Sequence, residues 1–388
     1  MSGELVGVVG AGTMGAGIAE VALEHGHEVV LYDVDEAAVD QGRSRISAAL
    51  ERRAERLGLD PDSIDEWVEA RLIGLREAEA LDAVGAEADV VIEAALENLE
   101  LKREIFRALD SATERDVILA SNTSALTIGA IAEATTRPER VLGLHFFNPA
   151  PVMQLVEVTS GPMTAAEIVG RATRLVESWG KTAVMSSDSP GFIVNRVNRP
   201  FTLEALAIHE SGVASPEEID VAVRAAGYPM GPFELMDLVG IDVNLAAARA
   251  IWEAFDRAER FRPSSIQERL VDEGRLGRKA GRGFYEYDTG RRRAPKPTET
   301  TEEGDAIAHR ITLAVIGEAY RALGDGVAGA NEIDVALRLG AGHPAGPFER
   351  ARQMGGPAEV LAALRDLTGF GPRFEPPPAL LEAASHPA

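Results

Sequence analysis

The pair in this chain best suited to move a proton is a histidine and a carboxylate. The histidine lies in Leu144-His145-Phe146-Phe147-Asn148-Pro149, and Glu157 follows it. Imidazole titrates near neutrality, so His145 can take a proton from an alcohol. A carboxylate on the far ring nitrogen can fix its tautomer and steady the imidazolium that forms. Taken alone, His145 fits equally well as a strand-end histidine satisfied by a backbone group. Its company decides: Ser121-Asn122-Thr123-Ser124 precedes it and Gly191-Phe192-Ile193-Val194-Asn195-Arg196 follows. Ser124 and Asn195 can donate to a reacting oxygen and hold the neighbouring carbon in line for hydride transfer. Simpler uses exist: Glu157 as a strand-edge carboxylate paired with an arginine, and Ser124 as a helix N-cap before residues 126–134.

A dehydrogenase needs a hydride acceptor, and the first thirty residues read as its holder. An apolar strand at 4–9 leads into Gly10-Ala11-Gly12-Thr13-Met14-Gly15 and then a helix to residue 25, which is GxGxxG in its required strand-turn-helix setting. Gly10 permits the tight turn, Gly12 lets the backbone approach a pyrophosphate, and Gly15 allows close helix packing, while Thr13 and Met14 open the helix whose N–H groups face the phosphates. A second strand at 28–32 ends in Asp33, placed to accept from both ribose hydroxyls. Asp33 would repel a ribose phosphate and no arginine follows at once, so the expected cofactor is NAD rather than NADP.

Composition narrows the rest. At 388 residues and 45% hydrophobic content the chain can bury large cores, a length that suggests two or three domains. No apolar run approaches ~20 residues and the N-terminus shows no charged-then-apolar signal, so a soluble cytoplasmic protein is expected. Zero cysteines exclude disulfides, thiolate metal sites and cysteine nucleophiles, and no metal is expected. With 62 acidic against 39 basic residues the net charge is −23, which argues against nucleic acid or anionic membranes as partners. Of the basic residues 35 are Arg and 4 are Lys, and an acidic, lysine-poor chain suggests a salt-rich cytoplasm and a GC-rich genome.

Strand-like runs at 89–93, 117–121 and 141–147 alternate with helical patterns at 97–109 and 126–134, implying an α/β Rossmann-like, doubly wound sheet through residues 1–186. Asn122, Ser124 and His145 then fall at strand ends, where such sheets bind ligands. Residues 39–72 exceed a normal crossover helix and carry Arg43, Arg45, Arg52, Arg53 and Arg56. They read either as a solvated face pairing with Glu51 and Glu55 or as an arm that meets an anionic substrate tail. From 187 to 290 the pattern is helical, with one long helix expected over 192–210. An internal repeat then appears. Glu218-Ile219-Asp220-Val221-Ala222 and Gly227-Tyr228-Pro229-Met230-Gly231-Pro232-Phe233-Glu234 recur as Glu332-Ile333-Asp334-Val335-Ala336 and Gly342-His343-Pro344-Ala345-Gly346-Pro347-Phe348-Glu349, 114 and 115 positions on. A linker is expected over 291–304 and a second, degenerate helical copy over 305–388. Aligning Glu204 with Glu318 sets His309 opposite Asn195 and Arg310 opposite Arg196, so the second copy lacks that asparagine.

These motifs, with Gly277-Arg278-Lys279-Ala280-Gly281-Arg282-Gly283-Phe284-Tyr285-Glu286-Tyr287, resemble the L-3-hydroxyacyl-CoA dehydrogenase family, 3-hydroxybutyryl-CoA dehydrogenases included, over roughly residues 1–290. The resemblance implies a Rossmann domain joined to a helical domain of the 6-phosphogluconate dehydrogenase C-terminal type. It also implies NAD-dependent oxidation of (S)-3-hydroxyacyl-CoA to 3-oxoacyl-CoA in fatty acid β-oxidation. By it, His145 is the catalytic base, Glu157 its partner, Ser124 and Asn195 the contacts of the reacting oxygen, and Glu97, Lys102, Asn148 and Lys279 cofactor-side residues. The arm departs from the pattern: Ala49 stands where the family has a hydroxyl that contacts coenzyme A, and Arg56, a candidate substrate contact, stands where it has a lysine. An L-gulonate dehydrogenase of the same superfamily shares the Ser-His-Glu-Asn set without coenzyme A, and a non-catalytic structural protein can keep the fold. Shorter members dimerise through the helical domain, so either a homodimer or a chain whose second copy replaces the partner is expected.

Overall fold

The computed structural model describes residues 4–113, 116–292 and 301–386. It divides into two compact units, Met1–Ser189 and Pro190–Ala388. The first contains β1 (Val6–Val9), α1 (Thr13–Glu24), β2 (Val29–Tyr32), α2 (Glu36–Arg56), α3 (Pro61–Leu72), β3 (Leu75–Glu77), α4 (Leu81–Glu87), β4 (Val90–Glu93), α5 (Leu99–Ala112), β5 (Ile118–Ser121), α6 (Ile128–Ala132), β6 (Val141–Phe146), β7 (Leu155–Ser160), α7 (Ala166–Ser178) and β8 (Thr182–Ser187).

Its sheet has eight strands in the order β3-β2-β1-β4-β5-β6-β7-β8. Strands β1 to β6 are parallel, β7 turns back antiparallel on β6, and β8 is parallel to β7. The apolar strands β1, β4 and β5 are buried along their whole length, as strands covered by helices on both faces must be. This is the expected doubly wound sheet. The 39–72 segment is two helices, α2 and α3, and Asp35 and Asp60 cap them by accepting from the N–H groups of Ala37 and Asp62.

The second unit is helical: α8 (Val194–Val197), α9 (Arg199–Glu210), α10 (Pro216–Ala225), α11 (Pro232–Val239), α12 (Ile241–Ala254), α13 (Ser265–Asp272), then α14 (Glu302–Gly324), α15 (Ala330–Ala341), α16 (Pro347–Gln353), α17 (Pro357–Asp366) and α18 (Pro378–Ser385). The single helix expected over 192–210 is instead α8 and α9, separated at Asn198. Pro200 explains the break, because its ring removes an N–H and crowds the carbonyl one turn back. In the second copy Ala314 takes that place and α14 runs unbroken. Of the expected linker at 291–304, Arg291 and Arg292 pair with Asp288 and Tyr287 in a short ribbon, and Thr301 caps α14. Residues 293–300 lie outside the described ones.

The two helical copies pack against each other by reciprocal contacts. Buried Glu318 accepts from Arg196 Nε at 2.9 Å and Arg260 Nε at 3.1 Å. Its equivalent, buried Glu204, accepts from Arg310 Nε at 2.7 Å and Arg373 at 3.0 Å. Each glutamate of one copy thus meets arginines of the other, as across a two-fold axis. On that axis the rings of Tyr228 and His343 meet at 5.0 Å. The repeated aspartates also do one job twice. Asp220 accepts from the N–H groups of Phe233 and Glu234, and Asp334 from those of Phe348 and Glu349, closing the start of α11 and of α16.

A chain ending at Asp288 would uncover Glu204, Phe201 and Tyr228 together. It is expected to dimerise or aggregate where the full chain does not. Light scattering on the two proteins checks this, and equal subunit number with equal solubility would refute it.

Candidate active site

The cofactor end of the first unit is shaped by its glycines. Gly10 has φ +106°, and a Cβ there would stand 2.7 Å from the carbonyl oxygen of Ala94. At Gly15 a Cβ would stand 1.7 Å from the Gly10 carbonyl oxygen. A Cβ at Gly12 would meet no protein atom within 4 Å, so this glycine faces open space at the start of α1. No side chain caps that start, leaving its N–H groups for an anion. Asp33 follows β2, half-buried. Its carboxylate accepts from Ala11 N at 2.8 Å and Asp35 N at 3.3 Å, which fixes it beside the glycine turn. The donor set fits a dinucleotide: a bare helix N-terminus for pyrophosphate and a carboxylate beyond the next strand for the ribose.

The proton-moving pair is built by one register. In the antiparallel pairing of β6 and β7, His145 and Glu157 lie directly opposite each other, which brings their side chains together on one face. His145 Nδ1 is 2.6 Å from Glu157 Oε2, and both residues are buried. A carboxylate only accepts, so the proton sits on Nδ1 and Nε2 is left as an acceptor. Ser124 Oγ lies 3.1 Å from that Nε2. The strand-edge use of Glu157 does not hold, since β7 lies inside the sheet. Ser124 does not cap a helix either. The first N–H groups of α6, from Ile128 and Gly129, go to Asp188 at 2.8 and 2.7 Å.

What positions Ser124 is Glu97. Its Oε1 accepts from Thr123 Oγ1 at 2.7 Å, Ser124 N at 2.9 Å and Ala125 N at 3.0 Å. Lys102, expected at the cofactor, is 1% exposed and holds Glu93 at 2.6 Å and Glu97 at 3.5 Å. These contacts tie it to the carboxylate that holds the loop. Glu93 was not legible as part of the site, and the only hint was one of four lysines nine positions on. It also accepts from Ser121 Oγ at 2.6 Å and Ala95 N at 2.7 Å. Asn122 ties the strand ends together by accepting from Phe146 N at 2.8 Å.

A cavity of about 340 Å³ brings Thr13 and Asn148 to one wall and Arg45, Ala49, Arg52 and Arg56 of α2 to the other. The expected pairing of the arginines with Glu51 and Glu55 is not formed. Arg43 and Arg53 go to Glu77 and Glu24, while Arg56 Nε bonds only the Arg52 carbonyl, at 3.2 Å. Between the walls sits Glu20, 4% exposed, which the sequence concealed inside an apolar helical stripe. Burial pushes its carboxyl up to about 7, Glu24 adds to the rise, and Arg52, Arg56 and Arg53 oppose it. Asn195 and Lys279 belong to the helical unit. Asn195 lies in α8, half-buried, and Lys279 is exposed and pairs with Asp242 at 2.7 Å.

The fold and the glycine turn with its aspartate define a dinucleotide-dependent dehydrogenase. Residues 5–189 match the NAD binding domain of 3-hydroxyacyl-CoA dehydrogenase, and residues 191–287 and again 307–386 match its C-terminal domain. The chain belongs to the 3-hydroxyacyl-CoA dehydrogenase family, and NAD is the cofactor of its first domain. It is 49% identical over 285 residues to the 3-hydroxyadipyl-CoA dehydrogenase of Escherichia coli K12, covering 73% of this chain and 59% of that protein's length. It is 44% identical over 284 residues to the mitochondrial hydroxyacyl-coenzyme A dehydrogenase of Rattus norvegicus, 73% of this chain and 90% of the relative. A crystal structure of 3-hydroxybutyryl-CoA dehydrogenase from E. coli K12 superposes with TM-score 0.89 at 36% identity, over 99% of both chains.

Two outcomes are expected here. Asp33→Arg should weaken NAD and admit NADP, read from KM for each cofactor, and an unchanged preference would remove Asp33 from the ribose site. For Glu20 the folded chain keeps a proton that the unfolded chain releases near 4.5. The resulting stability is full below that value and is lost as pH climbs to about 7. The stability gap between Glu20→Gln and wild type should therefore widen in favour of the variant from about pH 5 to about pH 8, measured by urea unfolding. A gap independent of pH would contradict the assignment.

Proposed function

We propose that the chain oxidises (S)-3-hydroxyacyl-CoA, 3-hydroxybutyryl-CoA among the substrates, reversibly to 3-oxoacyl-CoA. The observation that carries this is His145 held at both ring nitrogens, by Glu157 on Nδ1 and by Ser124 at Nε2. Bound NAD supplies the acceptor for the hydride that leaves C3. His145 Nε2 accepts the proton from the 3-hydroxyl as the carbonyl forms, and Glu157, on the opposite nitrogen, stabilises the imidazolium. The Ser124 hydroxyl, fixed through the Glu97 contacts on its loop, donates to the reacting oxygen and sets the angle at which C3 is presented. Phe147, its ring 4.5 Å from that of His145, limits the imidazole's freedom. Asn195, carried on the helical unit, is proposed as a second donor to that oxygen, with Asn148 and Lys279 on the cofactor side.

For the acyl carrier the supporting feature is the arm. Arg45, Arg52 and Arg56 face a cavity that they share with buried Glu20, and among the described residues none of the three forms an ion pair, which leaves them for a coenzyme A phosphate. Ala49 supplies no hydroxyl, so binding on this wall rests on the guanidinium groups. L-gulonate, with one carboxylate and no phosphate, would leave most of this basic wall unused. The reciprocal packing of the helical copies supports the reading that the second copy takes a partner's place. We further place the protein in the cytoplasm, and a salt-rich one, on its charge of −23 and its 35 arginines against 4 lysines. Among the described residues no helix is long and apolar enough to cross a membrane.

The absorbance of reduced nicotinamide, followed with acetoacetyl-CoA and with L-gulonate, tests the reaction: turnover of the first and not the second is expected. His145→Gln should lower turnover by about 10² to 10⁴-fold, the scale of a lost general base, with NAD affinity nearly unchanged by calorimetry. A variant that keeps more than a third of wild-type turnover would mean that another group is the base.

A further inference from the structure

Arg199 opens α9 with a guanidinium that has no counter-charge among the described residues. The residue is 6% exposed, and its Nε is shut off from solvent with no hydrogen-bond partner. Other arginines of the helical unit are paired: Arg196 and Arg260 with Glu318, Arg310 and Arg373 with Glu204. Its carbonyl accepts from Thr202 Oγ1 at 3.3 Å, a contact that leaves the guanidinium unserved. Burial alone pulls its pKa down to about 10, and no neighbouring charge acts on it. Withdrawing a charge from water without a partner is strongly unfavourable, so folding by itself gives no reason to keep this side chain.

The second helical copy supplies the internal comparison. At the aligned position it carries Leu313, wholly buried. Where the same helix has only to pack, an apolar side chain fills the place. The two copies differ at a second position, Asn195 against His309, while Arg196 and Glu204, which hold the copies together, recur as Arg310 and Glu318. Asn195 and Arg199 are one turn apart. Asn198 between them has helical dihedrals, φ −81° and ψ −8°. The N–H groups of Val197 and Asn198 bond the carbonyls of Ile193 and Val194. The backbone keeps a helical course through Asn198, so Asn195 and Arg199 stand about one turn, ~6 Å, apart across the junction of α8 and α9.

We infer that Arg199 determines substrate specificity by taking a carboxylate at the far end of the acyl chain, so that the enzyme accepts 3-hydroxy dicarboxylic acyl-CoA esters of about six carbons. The inference rests on the reading that Asn195 contacts the oxygen on C3. With C3 at Asn195, the terminal carboxyl of a six-carbon diacid ester is three bonds further along. That is the reach needed to meet a side chain one turn away. A guanidinium binds a carboxylate through two parallel N–H···O bonds, which are strongest where water is excluded. A methyl end would leave the charge buried and unpaired, so the same arginine that welcomes a diacid disfavours the plain chain.

The test compares two esters of equal length, 3-hydroxyadipyl-CoA and 3-hydroxyhexanoyl-CoA, with 3-hydroxybutyryl-CoA as the measure of the underlying reaction. The wild type should favour the adipyl ester in kcat/KM by about 10²-fold or more. Arg199→Leu should lose that preference, chiefly through KM for the adipyl ester, and gain on the hexanoyl ester. Arg199→Lys should keep part of it. Because the leucine removes a buried, unpaired charge, its Tm should equal or exceed the wild-type value. Equal kcat/KM of the wild type for the two six-carbon esters, with 3-hydroxybutyryl-CoA oxidised normally, overturns the inference while leaving the reaction standing. A uniform loss with all three esters in Arg199→Leu would instead assign the residue to coenzyme A or to packing. No turnover of any ester by the wild type removes the reaction and the inference together.

Discussion

The contact on which the rest of the site depends is the one between His145 Nδ1 and Glu157, made at 2.6 Å by two buried residues. An acid and a base taken out of water each need a polar partner, and here each supplies one to the other. That requirement bears on the sheet itself. Six strands run parallel, as βαβ units demand, and then the chain reverses so that β7 lies antiparallel beside β6. Antiparallel pairing sets Glu157 directly across from His145, and a slip of one residue would turn either side chain to the opposite face. The single reversal in the sheet is thus the step that gives a histidine in a strand a carboxylate partner on Nδ1.

The surroundings of that pair are held by charges that bind one another and the backbone of the loop. Lys102 and Glu93 form a buried ion pair, and Glu93 also binds Ser121, at the end of the strand that leads to Ser124. Glu97 collects three donors from residues 123 to 125. Asp188 takes the first N–H groups of α6. A loop pinned at this many points keeps its hydroxyl in place without help from substrate, which is what positioning a reacting oxygen requires. It also explains why lysine stands at 102 in a chain that otherwise writes arginine: a compact ammonium fits a sealed space between two carboxylates where a planar fork would not.

The strands were legible because a fully buried parallel strand is a short continuous apolar run, and β1, β4, β5 and β6 all read that way. The types of the site residues were legible too, since a GxGxxG turn, an aspartate beyond the next strand and a histidine with a later glutamate each have few other uses. What could not be read was partnership. Nothing in the order of residues says that Glu97 serves Ser124, that Lys102 faces inward, or that Glu20 hides its carboxyl in a cavity under α2, because such pairings are set by packing between elements far apart in sequence. Helix caps are hidden for a related reason. Serine looked like a cap for α6, but an aspartate some sixty residues away does that work. The basic island on α2 was plain, yet only the fold separates Arg43 and Arg53, which find carboxylates, from Arg45, Arg52 and Arg56, which do not.

The duplication shows how packing and function divide the positions of one helix. In both copies an arginine and a glutamate two turns apart cross over to the other copy, and this reciprocal arrangement holds only if both copies keep both residues. Those positions are tied by the interface. The positions between them are not, and there the copies part: Asn195 against His309, Arg199 against Leu313, Pro200 against Ala314. The proline matters to this, because it interrupts the first copy's helix just where Asn195 and Arg199 stand, while the second copy continues straight through in α14. A helix that served packing alone would have no reason to carry a break and an unpaired guanidinium in the same turn. The first copy carries both, next to the asparagine, and the second, whose place is to cover the first, carries neither.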